Sequence, residues 1–177
     1  MIIKSMSRKE GSFSQLLNYM EKGSSGERAP VFQNLHGGTF EEQIRAFEEN
    51  AELLQKRKNG VVLYHEILSF KNNDTLDFAD KAEKLQEIAS EYLRRRSKHS
   101  LAYGVIHEDK SHHTHVHLCI SSNALGESKR VRQSKAQFQK LKIDFEKFVL
   151  EQYPELGQNV TIDKEKETTH TLSLIHI

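Results

Sequence analysis

The sequence predicts an α+β domain, a central and mostly antiparallel sheet of about five strands with α-helices flanking it. Apolar runs such as Val61 to Tyr64 and Leu101 to Ile106 are strand-sized and bounded by turn residues. Between the runs, apolar residues recur at helical spacing. The strand-like segments also come as neighbours or hairpins, which argues against a doubly wound parallel sheet.

Taken in order, Ile2, Ile3 and Met6 form a short first strand. Gly11-Ser12 then opens a helix whose inward stripe is Phe13, Leu16, Leu17 and Met20, and Gly23-Ser24-Ser25-Gly26 ends it in a loop reaching Pro30. Thr39-Phe40-Glu41-Glu42 is a capping box: the threonine oxygen accepts a free N–H while the glutamate reaches back. The helix it starts carries Ile44, Phe47, Ala51 and Leu54 on one face and runs to the Asn59-Gly60 break. Val61 to Phe70 reads as a strand, Lys71 to Asp74 as a turn, and Asp77 to Arg96 as a long helix with Ala82, Leu85, Ile88, Ala89 and Tyr92 inward. Leu101 to His107 and His113 to Ser121 are two strands joined by the polar turn Glu108 to Ser111. Ser134 to Gln137 is a second capping box, opening a last helix that Pro154 closes.

These elements fit one domain over residues 1–163; the tail 164–177 joins no element and is expected to be the ragged end of a truncated chain. The 177 residues carry 26 Lys+Arg against 25 Asp+Glu, a net charge of +1, which excludes a polybasic protein that binds by bulk charge. With 36% hydrophobic and 29% charged residues and a mean hydropathy of -0.67, the chain can bury a core and stay soluble. No apolar stretch approaches membrane-spanning length, so no membrane insertion is expected. Met1 to Lys4 offers no apolar signal-peptide region, and a cytoplasmic location is expected. The single cysteine, Cys119, excludes an intramolecular disulfide and an all-cysteine zinc site.

The unusual feature is a set of ten histidines, five of them between His107 and His117. On a strand, residues two apart share a face, so His115 and His117 project side by side while Val116 and Leu118 turn to the core. The hairpin brings His107 beside them, and three imidazoles on neighbouring strands make a three-ligand cation site with open positions. His113 shares that face and is the rival third ligand. The phosphate-binding glycine loop, HExxH and CxxC are absent, which removes the NTPase, zincin and dithiol redox classes. Imidazole ligands alone do not name the cation, since they suit several transition metals.

His115-Val116-His117, with His107, Asp109 and Asn123, resembles the third motif of plasmid relaxases, the mobilisation nucleases of the HUH endonuclease superfamily. Tyr19, on the first helix after an N-terminal strand, is similarly placed to their nucleophilic tyrosine. Ile67-Leu68-Ser69-Phe70 resembles their second motif, which implies a DNA contact for Ser69 near the nick. The course Lys129-Arg130-Val131-Arg132-Gln133-Ser134-Lys135 is also similar. The resemblance spans roughly residues 1 to 155 and implies the HUH relaxase-like form of the α+β fold. Its further implications are a divalent metal, Mn²⁺ or Mg²⁺ with Zn²⁺ and Ni²⁺ open, and single-stranded DNA at a transfer origin as partner. Accessory mobilisation proteins would be further partners.

The implied reaction is transesterification, in which Tyr19 attacks a phosphodiester and keeps a 5′-phosphotyrosine bond while a 3′-hydroxyl leaves. A free tyrosine has a pKa of about 10 and needs help to react near neutrality. Asp109 is expected to hold a histidine in its ligating tautomer or to act as base. Tyr19 is the only tyrosine in the region, which implies a one-tyrosine mechanism. Lys129, Arg130, Arg132 and Lys135 belong to a run free of acidic residues and are the candidates for DNA backbone contacts. Arg94, Arg95 and Arg96 are explained without DNA, because cations suit a helix C-terminus. His65-Glu66 is a weaker candidate for a supporting role. The rivals are a rolling-circle replication initiator, a metal-bound-water hydrolase and an inert metal- or DNA-binding module.

Overall fold

The structure, a computed structural model, describes residues 1–9, 12–23, 30–36, 38–70, 78–108 and 114–156. Asp109, His112, His113 and the 164–177 tail lie outside these. The elements are β1 (Ile2–Arg8), α1 (Phe13–Lys22), β2 (Val31–Gln33), α2 (Phe40–Glu52), β3 (Leu63–Ser69), α3 (Phe78–Ser97), β4 (Ser100–Glu108), β5 (Thr114–Ala124) and α4 (Lys135–Gln152). The five strands form one sheet in the order β1-β3-β5-β4-β2, with every neighbouring pair antiparallel. This is the expected α+β architecture, with the histidine strand β5 at the centre.

The period-two alternation of the strands divides the interior into two cores. Leu68, Phe70, Val116, Leu118 and Ile120 face α3 and α4, where they meet Leu85, Ile88, Tyr92, Phe145 and Val149. Leu63, Leu101, Tyr103, Val105 and Cys119 face α1 and α2, where they meet Phe13, Leu16, Leu17, Met20 and Phe47. The four α1 residues are 0–2% exposed, and each stabilises the fold by about 1.5–3 kcal/mol through burial.

Local signals place the helix starts. Ser12 caps α1 by accepting from Gln15 N, and both capping boxes are formed in full, at Thr39/Glu42 and Ser134/Gln137. The end of α2 differs from expectation: the helix stops at Glu52, not at Asn59-Gly60. Beyond Leu54 the segment Gln55-Lys56-Arg57-Lys58 adds nothing to the apolar stripe, and Leu54 N closes a tighter turn on Ala51 O. Strand β2 follows the expected loop to Pro30, in a stretch to which the sequence assigned no element. Its three residues form a strand through pairing with Ala102 to Gly104, a long-range cause that so short a run cannot advertise.

Beneath the sheet, Glu66 (0% exposed) gathers a polar network inside the α3/α4 core. Ser5 Oγ donates to it at 2.8 Å, Tyr92 Oη at 2.6 Å and Arg96 Nε at 3.0 Å. The Arg96 guanidinium also lies over the Tyr64 ring at 4.8 Å. Arg94 and Arg95 both bond Glu91, so the arginine run at the end of α3 is committed to structure. No helix among the described residues is long and apolar enough to cross a membrane.

Candidate active site

Strand register brings the predicted histidines together. His107 on β4 lies directly opposite His115 on β5, and Ser69 on β3 lies opposite His115 from the other side. One row across the sheet therefore reads Ile2, Ser69, His115, His107, and the next reads Lys4, Ile67, His117, Val105. All these residues point to the α1/α2 face, since positions two apart along a strand share a side.

The three rings form a tight group. Centroids are 4.4 Å apart for His107–His117, 4.9 Å for His115–His117 and 5.4 Å for His107–His115. Ligand nitrogens of all three lie within 4.8 Å of one another, so the cluster could hold a metal ion. Burial supports this use. It pushes the His117 pKa down to about 3 and lowers that of His107, with the neighbouring imidazoles adding to the His117 shift. Both rings are thus neutral near pH 7, the state a ligand requires.

The orientation of His107 comes from α1. His107 Nε2 donates to the Met20 carbonyl at 2.6 Å, which leaves Nδ1 with a lone pair for a cation. Gly23, just past the helix, makes room for the ring: a Cβ there would stand 2.5 Å from His107 Cε1. A second partner is His65 on β3, whose Nε2 lies 2.8 Å from His117 Nδ1. His65 is 4% exposed, and burial, then the charge of Arg8, lowers its pKa to about 4. Neither Met20 nor Gly23 stood out in the sequence. His65 stood out only weakly, and its neighbour Glu66 belongs to the opposite face.

The last turn of α1 also delivers Tyr19. Its ring meets His117 edge-on at a centroid distance of 5.9 Å and His65 at 6.3 Å, while 57% of the residue remains exposed. The same helix end is fastened to the sheet by Tyr103, whose hydroxyl donates to the Glu21 carboxylate. Tyr19, the three histidines and Ser69 are therefore neighbours on one open face. On that face β1 presents Ile2, Lys4 and Met6, all exposed, and the half-buried Arg8.

Other candidates lie elsewhere. Asn123 is fully buried six positions past His117, about 20 Å along the strand. Its amide donates to Asn50 O and Glu127 O, a latch closing the far end of the sheet. Arg130 pairs with Asn123 through the backbone, and its guanidinium donates to Val61 O and Gln55 O. Lys129, Arg132 and Lys135 are exposed on that same distal segment. The candidate Asp109 and the rival ligand His113 are outside the described residues.

A family model described as the nuclease domain of MobA/VirD2-like relaxases matches residues 19–151. The chain belongs to this relaxase family. No curated protein matches it. The matched span begins at Tyr19 and contains His65, Ser69 and all three clustered histidines. The resemblance seen in the histidine motif is thereby confirmed at family level, and the relaxase domain carries a nuclease role with single-stranded DNA as its family's ligand.

Proposed function

We propose that the relaxase domain nicks single-stranded DNA at a transfer origin by direct attack of Tyr19. The Tyr19 oxygen forms a bond to the scissile phosphorus and gives up its proton to a base or water, while the bond to the 3′-oxygen breaks and that oxygen takes up a proton in exchange. The product is a 5′-phosphotyrosine with a free 3′-hydroxyl. The phosphoester count is conserved, so the same 3′-hydroxyl can reseal the strand. The observation that carries this reading is the meeting of Tyr19 with the histidine cluster, 5.9 Å from ring to ring.

The donor set fits a divalent transition metal, Mn²⁺ in this proposal with Zn²⁺ and Ni²⁺ open, better than Mg²⁺, which takes oxygen ligands. Three imidazoles converge, burial keeps His107 and His117 neutral, and His107 has its second nitrogen tied to Met20. Bound there, the cation supplies electrophilic stabilisation of charge on the phosphate oxygens. The chain's own residues do the rest. The capped and sheet-anchored α1 holds Tyr19 at the cluster, and Ser69, opposite His115, offers a hydroxyl to the phosphate beside the nick. Asp109, beyond the end of β4, is the candidate to take the tyrosine proton or to fix a ligand tautomer.

The substrate track runs over the β1/β3 half of the same face. Lys4 and Arg8 supply positive charge for the DNA backbone, and Ile2, Met6 and Ile67 give apolar surface for bases. Lys129, Arg132 and Lys135 would meet phosphates farther along the strand.

The test is a denaturing gel after incubation of the protein with Mn²⁺ and labelled single-stranded origin DNA. A covalent protein–DNA adduct that disappears in Tyr19→Phe is the expected result. Cleavage without an adduct, unaffected by Y19F, would instead mark hydrolysis and overturn the proposal.

A further inference from the structure

An imidazole binds a cation only through a nitrogen bearing a lone pair, so a neutral ligand keeps its one proton on the other nitrogen. For His107 the Met20 carbonyl fixes that choice, because a carbonyl can only accept. His117 has no carbonyl in this position. Its Nδ1 faces Nε2 of His65 at 2.8 Å, inside a buried pair whose rings lie 5.1 Å apart and 27° from parallel.

Two neutral rings can share that bond in two ways, with opposite consequences. If His65 donates from Nε2, His117 must carry its proton on Nε2 and has no lone pair left for the cation. If His117 donates from Nδ1, its Nε2 is free to ligate and His65 holds its own proton on Nδ1. The rest of the protein does not decide between them, since His65 Nδ1 is buried without a hydrogen-bond partner among the described residues.

We infer that His65 is the positioning residue for His117: it accepts the Nδ1 proton of His117 and so turns the Nε2 lone pair toward the cation. The inference rests on the reading of the three histidines as a metal centre. A histidine in this place is a neutral acceptor, so it adds no negative charge beside the cluster. The bound cation would keep its full charge for the phosphate oxygens.

Calorimetric titration of the full chain with Mn²⁺ tests this, comparing wild type, His65→Leu, His65→Gln and His117→Ala. Loss of a partner that orients a metal-ligating histidine weakens metal affinity by about 10–100-fold, and that loss is expected for H65L. H65Q should retain most of the affinity, because the glutamine oxygen can accept the same proton. Wild-type affinity in H65L, alongside lost affinity in H117A, overturns the inference and leaves the metal centre standing. A wild type that binds no Mn²⁺ brings down the metal centre and the inference with it. Long-range proton–nitrogen NMR of the Zn²⁺-loaded wild type gives a check without mutation. The His117 proton is expected on Nδ1, and finding it on Nε2 overturns the inference.

Discussion

His107 Nε2 and the Met20 carbonyl stand 2.6 Å apart, so a hydrogen bond joins the histidine cluster to the helix that carries Tyr19. Met20 is in the last turn of α1, and its carbonyl accepts from the capping Gly23 N–H at 3.3 Å as well as from His107. The helix end that carries Tyr19 and the ring of His107 are thus held against each other by this contact.

Gly23→Ala tests that contact. The added methyl would lie 2.5 Å from His107 Cε1, too close for real atoms, so either the ring or the helix end must shift. Reduced Mn²⁺ affinity and reduced adduct yield are expected together, because the shift displaces both partners. Calorimetry and the denaturing gel read the two effects. A loss of adduct with unchanged metal binding would separate what the hydrogen bond is said to join.

Acid should destabilise the metal-free protein. His65 and His117 have pKa values lowered to about 4 and about 3 by burial, whereas the same rings in an unfolded chain titrate near 6.5. Between those limits the unfolded state binds more protons, so stability falls as pH drops below 6.5 and continues to fall toward 4. Above 6.5 these two groups contribute their full stabilisation. Thermal melts in chelator-treated buffers from pH 4 to 8 should show this fall, and a melting temperature that rises on acidification would contradict it.

Glu66→Ala should cost about 3–5 kcal/mol, because Arg96 would keep a buried charge without its carboxylate. Urea denaturation measures the loss. Glu66 lies on the sheet face away from the histidines, so Mn²⁺ affinity of the folded fraction should stay at the wild-type value.

Lys4→Ala should weaken single-stranded DNA binding to all sequences alike and reduce the slope of log K against log salt by about 0.7, one phosphate contact. Arg130→Ala should leave that slope unchanged and lower stability instead, since its guanidinium already serves Val61 O and Gln55 O. Salt titrations of fluorescence anisotropy distinguish the two. A reduced slope for R130A would return that residue to the DNA.

Cys119 should resist alkylation in the folded protein. The thiol is fully buried and burial pushes its pKa far up, so little thiolate is exposed to reagent. Labelling with iodoacetamide at pH 8, with and without denaturant, should show modification only in the denatured sample.

What was legible in the sequence is what local pattern dictates. The alternation around His115 and His117 is a property of one strand, and the capping boxes at Thr39 and Ser134 are four-residue signals, so both were readable without tertiary knowledge. The outward placement of Tyr19 was readable because Leu16, Leu17 and Met20 already fill the inward stripe of α1. The partners that orient the histidines were not. A backbone acceptor such as Met20 O has no signature in residue type, and the role of His65 depends on the register of β3 against β5. Arg96 shows the same limit: helix-end electrostatics explain its charge class, but only the packing of α3 on the sheet reveals its bond to Glu66. Asn123 and Arg130 are the converse case, polar residues near a motif in sequence that lie far from it along an extended strand.

The two ends of β5 have separate duties. One end holds His115 and His117, and the other is tied down by Asn123, Asn50 and Arg130. Damage at the distal end would therefore reduce how many molecules are intact without retuning those that survive. Such variants would be recognised by low yield with an ordinary metal dependence, whereas lesions around His117 would alter the metal dependence itself. The strand lets evolution adjust durability and chemistry independently.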